Sequence, residues 1–458
     1  MHYPWWYVPF LTSPMLIAAI SVFHVIVSHY AVGGGLFLAV ETQYAYKTNN
    51  RKYLAYLKDH AWFFILLTVV YGAITGVGIW WTIGLSSPLA TETLIHIFLF
   101  GWAMEYVFFF IEIASAFIFY YYWEKLDPKT HQIIGWIYGI SAWISLVLIT
   151  GITAFMLNPG SWLANKNFWA GFLNPQFLPQ VLSRTGGSLL LSSLYVYAHA
   201  SFRLKDSGLR DMIASRSTRP GLLGAILVCV GGAGWFYFLP ESARATLQAA
   251  SVLNVLMVLI FAFTFAVFVM LYFGPYKNPN WLSPGFAILF LALGFAAIAT
   301  GEYLREAVRK PYIVYNVVMS NQILPEEIPV LRQKGYLEGG VWTRAYVKIK
   351  YPEVVEDGKI DEAKFLILPE EEQIKLGEVL FQYACNDCHA TKDGYSPVGH
   401  MIRGWTKDMI KEVVKEPEKI HFFMPPFPGT DEEAEVLSKY LKSIAPEHPK
   451  GMYFGNNL

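Results

Sequence analysis

Eight long apolar stretches, at about 13–41, 60–85, 93–122, 132–157, 186–203, 220–240, 247–274 and 282–304, constrain this chain more than anything else in it. A helix needs about 20 apolar residues to cross the hydrocarbon core of a bilayer. Each stretch is near that length, the fifth being short and indistinct at its start. Backbone polar groups in hydrocarbon must be satisfied within the segment, so such stretches cross as helices. The expectation is an all-α polytopic membrane bundle of about eight spans occupying residues 1–304. Composition agrees, because only 15% of residues are charged, against roughly one quarter in soluble domains.

The cations set the orientation. The connections after the first, third and fifth spans, "KTNNRKYLAYLKDH", "EKLDPKTH" and "RLKDSGLRDMIASRSTR", are rich in Lys and Arg, whereas "GLSSPLAT" has none and "PESARA" has one. The positive-inside rule therefore puts the N-terminus outside the cytoplasm. An even number of spans returns the C-terminus to the same side. The expected location is the cytoplasmic (inner) membrane, multi-pass, with the C-terminal part on the periplasmic face. The opening "MHYPWWYVPFLTSP" lacks a basic n-region and a small-residue cleavage site, so it reads as a retained interfacial segment, with Trp5, Trp6 and Tyr7 at headgroup level. A formal net charge of zero argues against a nucleic-acid partner, which would call for a basic surface.

The polar part divides in two. Residues 305–369 read as an ordered extracytoplasmic connector without a Gly/Ser run. Residues 370–458 contain "CNDCHATKDGYSPVGH", in which Cys385, Cys388 and His389 form C-x-x-C-H. Two thiols at that spacing can bond the vinyl groups of a porphyrin while the adjacent histidine ligates its iron. A zinc site or a redox-active cysteine pair is the competing reading. Met424, in "HFFMPPFPGTDEEAEVLSKYLKSI", offers a thioether for the opposite axial position before an amphipathic helix. This region resembles a small class I cytochrome c over residues 370 to 445, which implies one covalent haem c. Cys229, the third cysteine, reads as a small core residue.

Ionisable groups inside spans cost about 2.5–3.5 kcal/mol each at the bilayer centre, so those present are functional candidates. Glu105 and Glu112 are seven apart and Glu92 and His96 four apart, which places each pair on one helix face. His24 and His29 in "SVFHVIVSHYAVGGGLFLAVET" could ligate a haem b or make interhelical hydrogen bonds. The run Gly33 to Gly35 allows close approach of a flat ligand or of a neighbouring helix. His96 is a weaker candidate, and His199 reads as interfacial. Met156 and Met270 read as core filling, and "VGGAG" in the sixth span as a packing surface.

"FHVIVSHYAVGGGLFLAVETQY", "MEYVFFFIEIASAFIFYYYW" and "REAVRKPYIVYNVVMSN" resemble segments of subunit I of cytochrome bd-type oxygen reductases, in the same order. The last looks like a diverged Gly-Arg-Gln-Pro-Trp segment that keeps Arg309 and Pro311 but has Lys310 and Tyr312 in place of Gln and Trp. The resemblance implies that His24 ligates an active-site b haem, that Glu105 and Glu112 serve haem coordination or proton delivery, and that Met257 is an axial ligand of a low-spin haem. Glu302 is implied as a ligand about one helical turn from its family register. Two departures stand out. Ser183 or Arg184 occupies the place of the family's low-spin haem histidine, and the quinol-binding loop between the sixth and seventh spans is missing.

Together these readings describe a membrane oxidoreductase subunit with haem c and one or more haem b, and they leave open whether a haem d replaces a b haem. Electrons would enter through the c-type haem, from an extracytoplasmic cytochrome or other electron-transfer protein rather than from quinol, and reduce oxygen. Alternatives are reduction of nitric oxide, or an electron relay that reduces no oxidant. The resemblance also implies a second integral membrane subunit of bd subunit II type.

Overall fold

The structure, a computed structural model, describes residue 4 and residues 6–446; Trp5 and the C-terminal tail from residue 447 lie outside the described residues. The chain forms two compact units. One comprises Ala18–Trp81 and Thr93–Val308, the other Met1–Ile17, Thr82–Glu92 and Arg309–Leu458.

The first of these is built on eight long helices: α1 (Ser13–Lys47), α2 (Arg51–Ser86), α3 (Leu99–Tyr121), α4 (Pro128–Phe155), α5 (Phe177–Arg203), α6 (Ser207–Tyr237), α7 (Ser251–Leu271) and α8 (Pro284–Val308). Among the described residues, seven helices are both long and apolar enough to cross a membrane, and α5 is not one of them. With 27 residues it is long enough, at about 1.5 Å per residue. Its composition has a physical cause, since every residue from Leu191 to Ser201 is buried, so protein rather than lipid selects its side chains. The expected third span at 93–122 is divided, because a separate helix, Pro88–Ile97, ends at Phe98 before α3 starts.

Glycines fix how these helices approach one another. On α1, a Cβ at Gly33 would lie 1.9 Å from the Ser188 carbonyl oxygen of α5, one at Gly34 2.7 Å from the Phe64 ring of α2, and one at Gly35 2.0 Å from the Tyr138 ring of α4. The glycine run therefore seats α1 among three helices. Gly224 and Gly231 of α6 do the same against Gly186 and Ser183 of α5, so "VGGAG" is a packing surface. The core between them contains Tyr30, Phe64, Tyr138, Tyr197 and Phe290, with Met270 packed against it. Cys229 is exposed, contrary to its reading as a core residue. An apolar neighbourhood on a membrane helix faces lipid as readily as it faces protein.

The other unit carries a hairpin of β1 (Tyr312–Val314) and β2 (Val318–Met319), then α9 (Ile328–Lys334), α10 (Val341–Lys350), α11 (Glu370–Ala384), α12 (Lys407–Lys415) and α13 (Asp431–Ile444). Residues from the segment after Arg309, such as Tyr336, Val354 and Phe365, share one core with Leu380, Phe381 and Leu437 of the haem-motif region. The helices α11 and α13 cross tightly, since a Cβ at Gly377 would sit 2.2 Å from the Val436 carbonyl oxygen. Thr430 and Glu433 cap the start of α13. Glu433 also accepts the backbone N–H groups of Tyr336 and Leu337, at 2.8 and 2.7 Å.

Candidate haem sites

Cys385 caps the end of α11, and the chain then turns so that the N–H groups of Cys388 and His389 both donate to its carbonyl, each at 3.0 Å. Both sulfurs and the imidazole thus belong to one turn. His389 Nδ1 lies 3.1 Å from the Ser396 carbonyl oxygen. A carbonyl only accepts, so Nδ1 carries the proton and Nε2 keeps its lone pair for iron. Burial holds this imidazole below its ordinary pKa, which favours the neutral, ligating form. Met424 is half-buried in the loop before α13, its N–H donating to the His421 carbonyl at 2.8 Å. Two thiols, an imidazole and a thioether suit a covalent c-type haem. Among the described residues, no group of three or more His, Cys, Asp or Glu side chains is placed to bind a metal ion.

In the helical unit, His24 of α1 faces α2. Its Nδ1 is 3.1 Å from the Thr75 hydroxyl, which itself donates to the Tyr71 or Gly72 carbonyl. With that hydroxyl's proton directed to the backbone, it acts as an acceptor towards His24 Nδ1. The ring has room because residue 76 is glycine, where a Cβ would come within 3.2 Å of it. Glu302 of α8 lies within electrostatic reach of both His24 and Arg184 and is held by Arg305 at 2.8 Å. Phe23 of α1 and Phe295 of α8 are in ring contact, with centroids 6.0 Å apart, so α8 packs against α1 next to His24. His29 Nδ1 lies 3.0 Å from the Val25 carbonyl, and its ring abuts Gly187 of α5.

The carboxylates of α3 turn to α4. Ser145 donates to Glu105 at 2.9 Å, and the Tyr138 hydroxyl lies 3.1 Å from both Glu112 Oε1 and the Ala31 carbonyl. Arg184, which with Ser183 lies where the resemblance would place a histidine, donates to Thr150 at 3.3 Å within the bundle. Met257 lies in an apolar cluster with Leu157, Leu239, Leu253 and Leu304. Arg309 belongs to the other unit, where its Nη1 donates to the Ile313 carbonyl at 3.3 Å. His96 is exposed, and Glu92 half-buried, on the helix Pro88–Ile97.

Three placements depart from the sequence reading or were missed by it. His199, read as interfacial, is buried within the protein 3.7 Å from Asp59, which also accepts from Nε and Nη2 of Arg203. His60 is fully buried beside it, with ring centroids 4.9 Å apart, and its Nε2 is bonded to the Tyr30 hydroxyl at 3.0 Å. Its position in a basic connection gave no sign of this, because α2 begins nine residues before it and draws it into the bundle. The N-terminal segment is not simply interfacial either. Tyr7 meets Tyr440 of α13, and the Trp6 N–H donates to Leu85 at 2.7 Å.

Residues 13–235 match the family described as cytochrome bd terminal oxidase subunit I, and residues 372–441 match cytochrome c oxidase, cbb3-type, subunit III. The fold is similar to that of the bd oxidase from Geobacillus thermodenitrificans, at 18% sequence identity and a TM-score of 0.56, covering 67% of this chain and 90% of that one. At this identity the likeness carries the fold alone. No curated protein matches the sequence.

Proposed function

We propose that this chain, which joins a cytochrome bd subunit I domain to a cbb3-type cytochrome c domain, is the haem-bearing subunit of a membrane terminal oxidase fed through its own c-type haem. The observation that carries this reading is the orientation of two imidazoles. His389 and His24 each have Nδ1 engaged in a hydrogen bond with the protein, as haem-ligating histidines do when Nε2 is the ligating atom. Bound haem supplies one-electron transfer and, where a coordination position is open, reaction with a small oxidant such as oxygen.

The protein's own groups do the rest. Cys385 and Cys388 would hold a c-type haem covalently, with His389 and Met424 available as ligands to its iron. His24 and Glu302 would hold a haem of b or d type in the bundle, and His29 and Met257 are the further candidates for a second one. Glu105 and Glu112, steadied by Ser145 and Tyr138, take up and pass on protons at their free carboxylate oxygens. A donor other than quinol is favoured by the connection between α6 and α7, which holds only the short helix Glu241–Ala249. Lys- and Arg-rich connections argue that the cytochrome domain is extracytoplasmic, where a small electron-transfer protein would deliver electrons. A second membrane subunit, of the type with which bd oxidases pair, completes the assembly.

The test is an optical spectrum of the dithionite-reduced protein before and after carbon monoxide, with pyridine haemochrome analysis to count b, c and d haems. A CO-sensitive b or d component beside haem c is expected. If no haem responds to CO, the oxidase reading falls, and a relay without oxidant reduction, consistent with Ser183 or Arg184 in place of a haem histidine, takes its place.

A further inference from the structure

The two residues between the haem cysteines take no part in attaching haem, yet both are buried, Asn386 at 1% and Asp387 at 6% exposure. Asn386 Oδ1 accepts the Val8 N–H at 3.2 Å, and its Nδ2 donates to the Val8 carbonyl at 3.2 Å and to the His389 carbonyl at 3.1 Å. Its amide thus pairs with the backbone of residue 8 as a neighbouring strand would. Two residues on, the Phe10 carbonyl accepts the Tyr395 N–H at 2.9 Å. Gly394, at φ +110°, permits this, because a Cβ there would lie 2.1 Å from the Phe10 oxygen. Asp387 Oδ2 lies 2.8 Å from Lys310 Nζ, with the two side chains 5% and 13% exposed. Lys310 stands where the resembled segment has Gln, and its ammonium is within electrostatic reach of Cys388 and His389.

We infer that Asn386 and Asp387 key the haem-binding turn to the N-terminal segment and to Lys310, and that the Lys310–Asp387 ion pair is a positioning element that sets the reduction potential of the c-type haem. This rests on the haem c assignment and not on the oxidase reading. Reduction adds an electron to the haem, so an unpaired cation nearby favours the reduced form and an unpaired carboxylate the oxidised form. Exclusion of water strengthens both effects. As a pair the two charges largely cancel, and deleting either one removes that cancellation and leaves a net charge of the other sign near the haem-binding turn.

The test is a redox titration of the c-haem absorbance in the full chain. Lys310→Met is expected to lower the midpoint potential, Asp387→Asn to raise it, and the double variant to return it towards wild type. Asn386→Ala is expected to expose the N-terminal segment to proteolysis. Should Lys310→Met fail to retain haem, Lys310→Gln, which keeps a donor and drops the charge, carries the same sign test. Shifts of the same sign in both single variants, or none, at unchanged haem content would overturn the inference. A wild-type chain without haem c would instead remove the assignment beneath it.

Discussion

His24 Nδ1 is steadied by the Thr75 hydroxyl, whose own proton is directed to the backbone of α2. Thr75→Val keeps the shape and removes the acceptor. Loss of such an outer partner typically costs about 10–100-fold in affinity, and the expected result is depleted b-type haem with unchanged haem c, read by pyridine haemochrome. Glu433 offers a contrasting case in the cytochrome unit. Its carboxylate takes three backbone N–H groups, from Tyr336, Leu337 and Thr430, at 2.7 to 3.0 Å. Each buried donor left unsatisfied costs about 1–3 kcal/mol, so Glu433→Ala should destabilise this unit by several kcal/mol, seen as a lower thermal midpoint for the loss of native c-haem absorbance. Neither role is legible from residue type. Thr75 and Glu433 read as ordinary helix residues until the neighbouring helix or loop is in place.

Between helices, fit rather than hydropathy sets the arrangement. Gly33 and Gly232 are both glycines in apolar helices and look alike in sequence. A Cβ at Gly33 would lie 1.9 Å from a backbone oxygen of α5, whereas one at Gly232 meets nothing within 4 Å. Gly33→Ala is expected to lower the thermal midpoint of the detergent-solubilised protein sharply, because main chain cannot yield as a flexible side chain can, and overpacking costs about 1–3 kcal/mol or more. Gly232→Ala should be neutral or slightly stabilising through its better helix propensity. Equal effects at the two positions would contradict the helix packing described above. The same reasoning explains α5, whose many serines lower its hydropathy because its surroundings are protein.

For the molecule as a whole, the charge asymmetry of the loops makes a definite claim about sidedness. Asn49 lies exposed in the connection after α1, and Ser161 exposed in the one after α4. With single cysteines introduced there, a membrane-impermeant maleimide applied to intact cells should label Ser161→Cys and spare Asn49→Cys until the cytoplasmic side is opened. The reverse pattern would invert the topology and place the haem-binding domain where c-type attachment is not expected.

The sequence by itself determined the bundle and the haem c attachment, because both are local. A span is a continuous apolar run, and C-x-x-C-H closes within a single turn. Glu105 and Glu112 were also legible as candidates, since charge inside a span is expensive. What only the tertiary structure decided are the partners: Thr75 for His24, Tyr138 for Glu112, Lys310 for Asp387, and the enclosure of α5 and His60. These depend on which face of one helix or loop meets which face of another. That choice is made by glycine-permitted contact and by hydrogen bonds between residues dozens to hundreds of positions apart, and no local pattern encodes them.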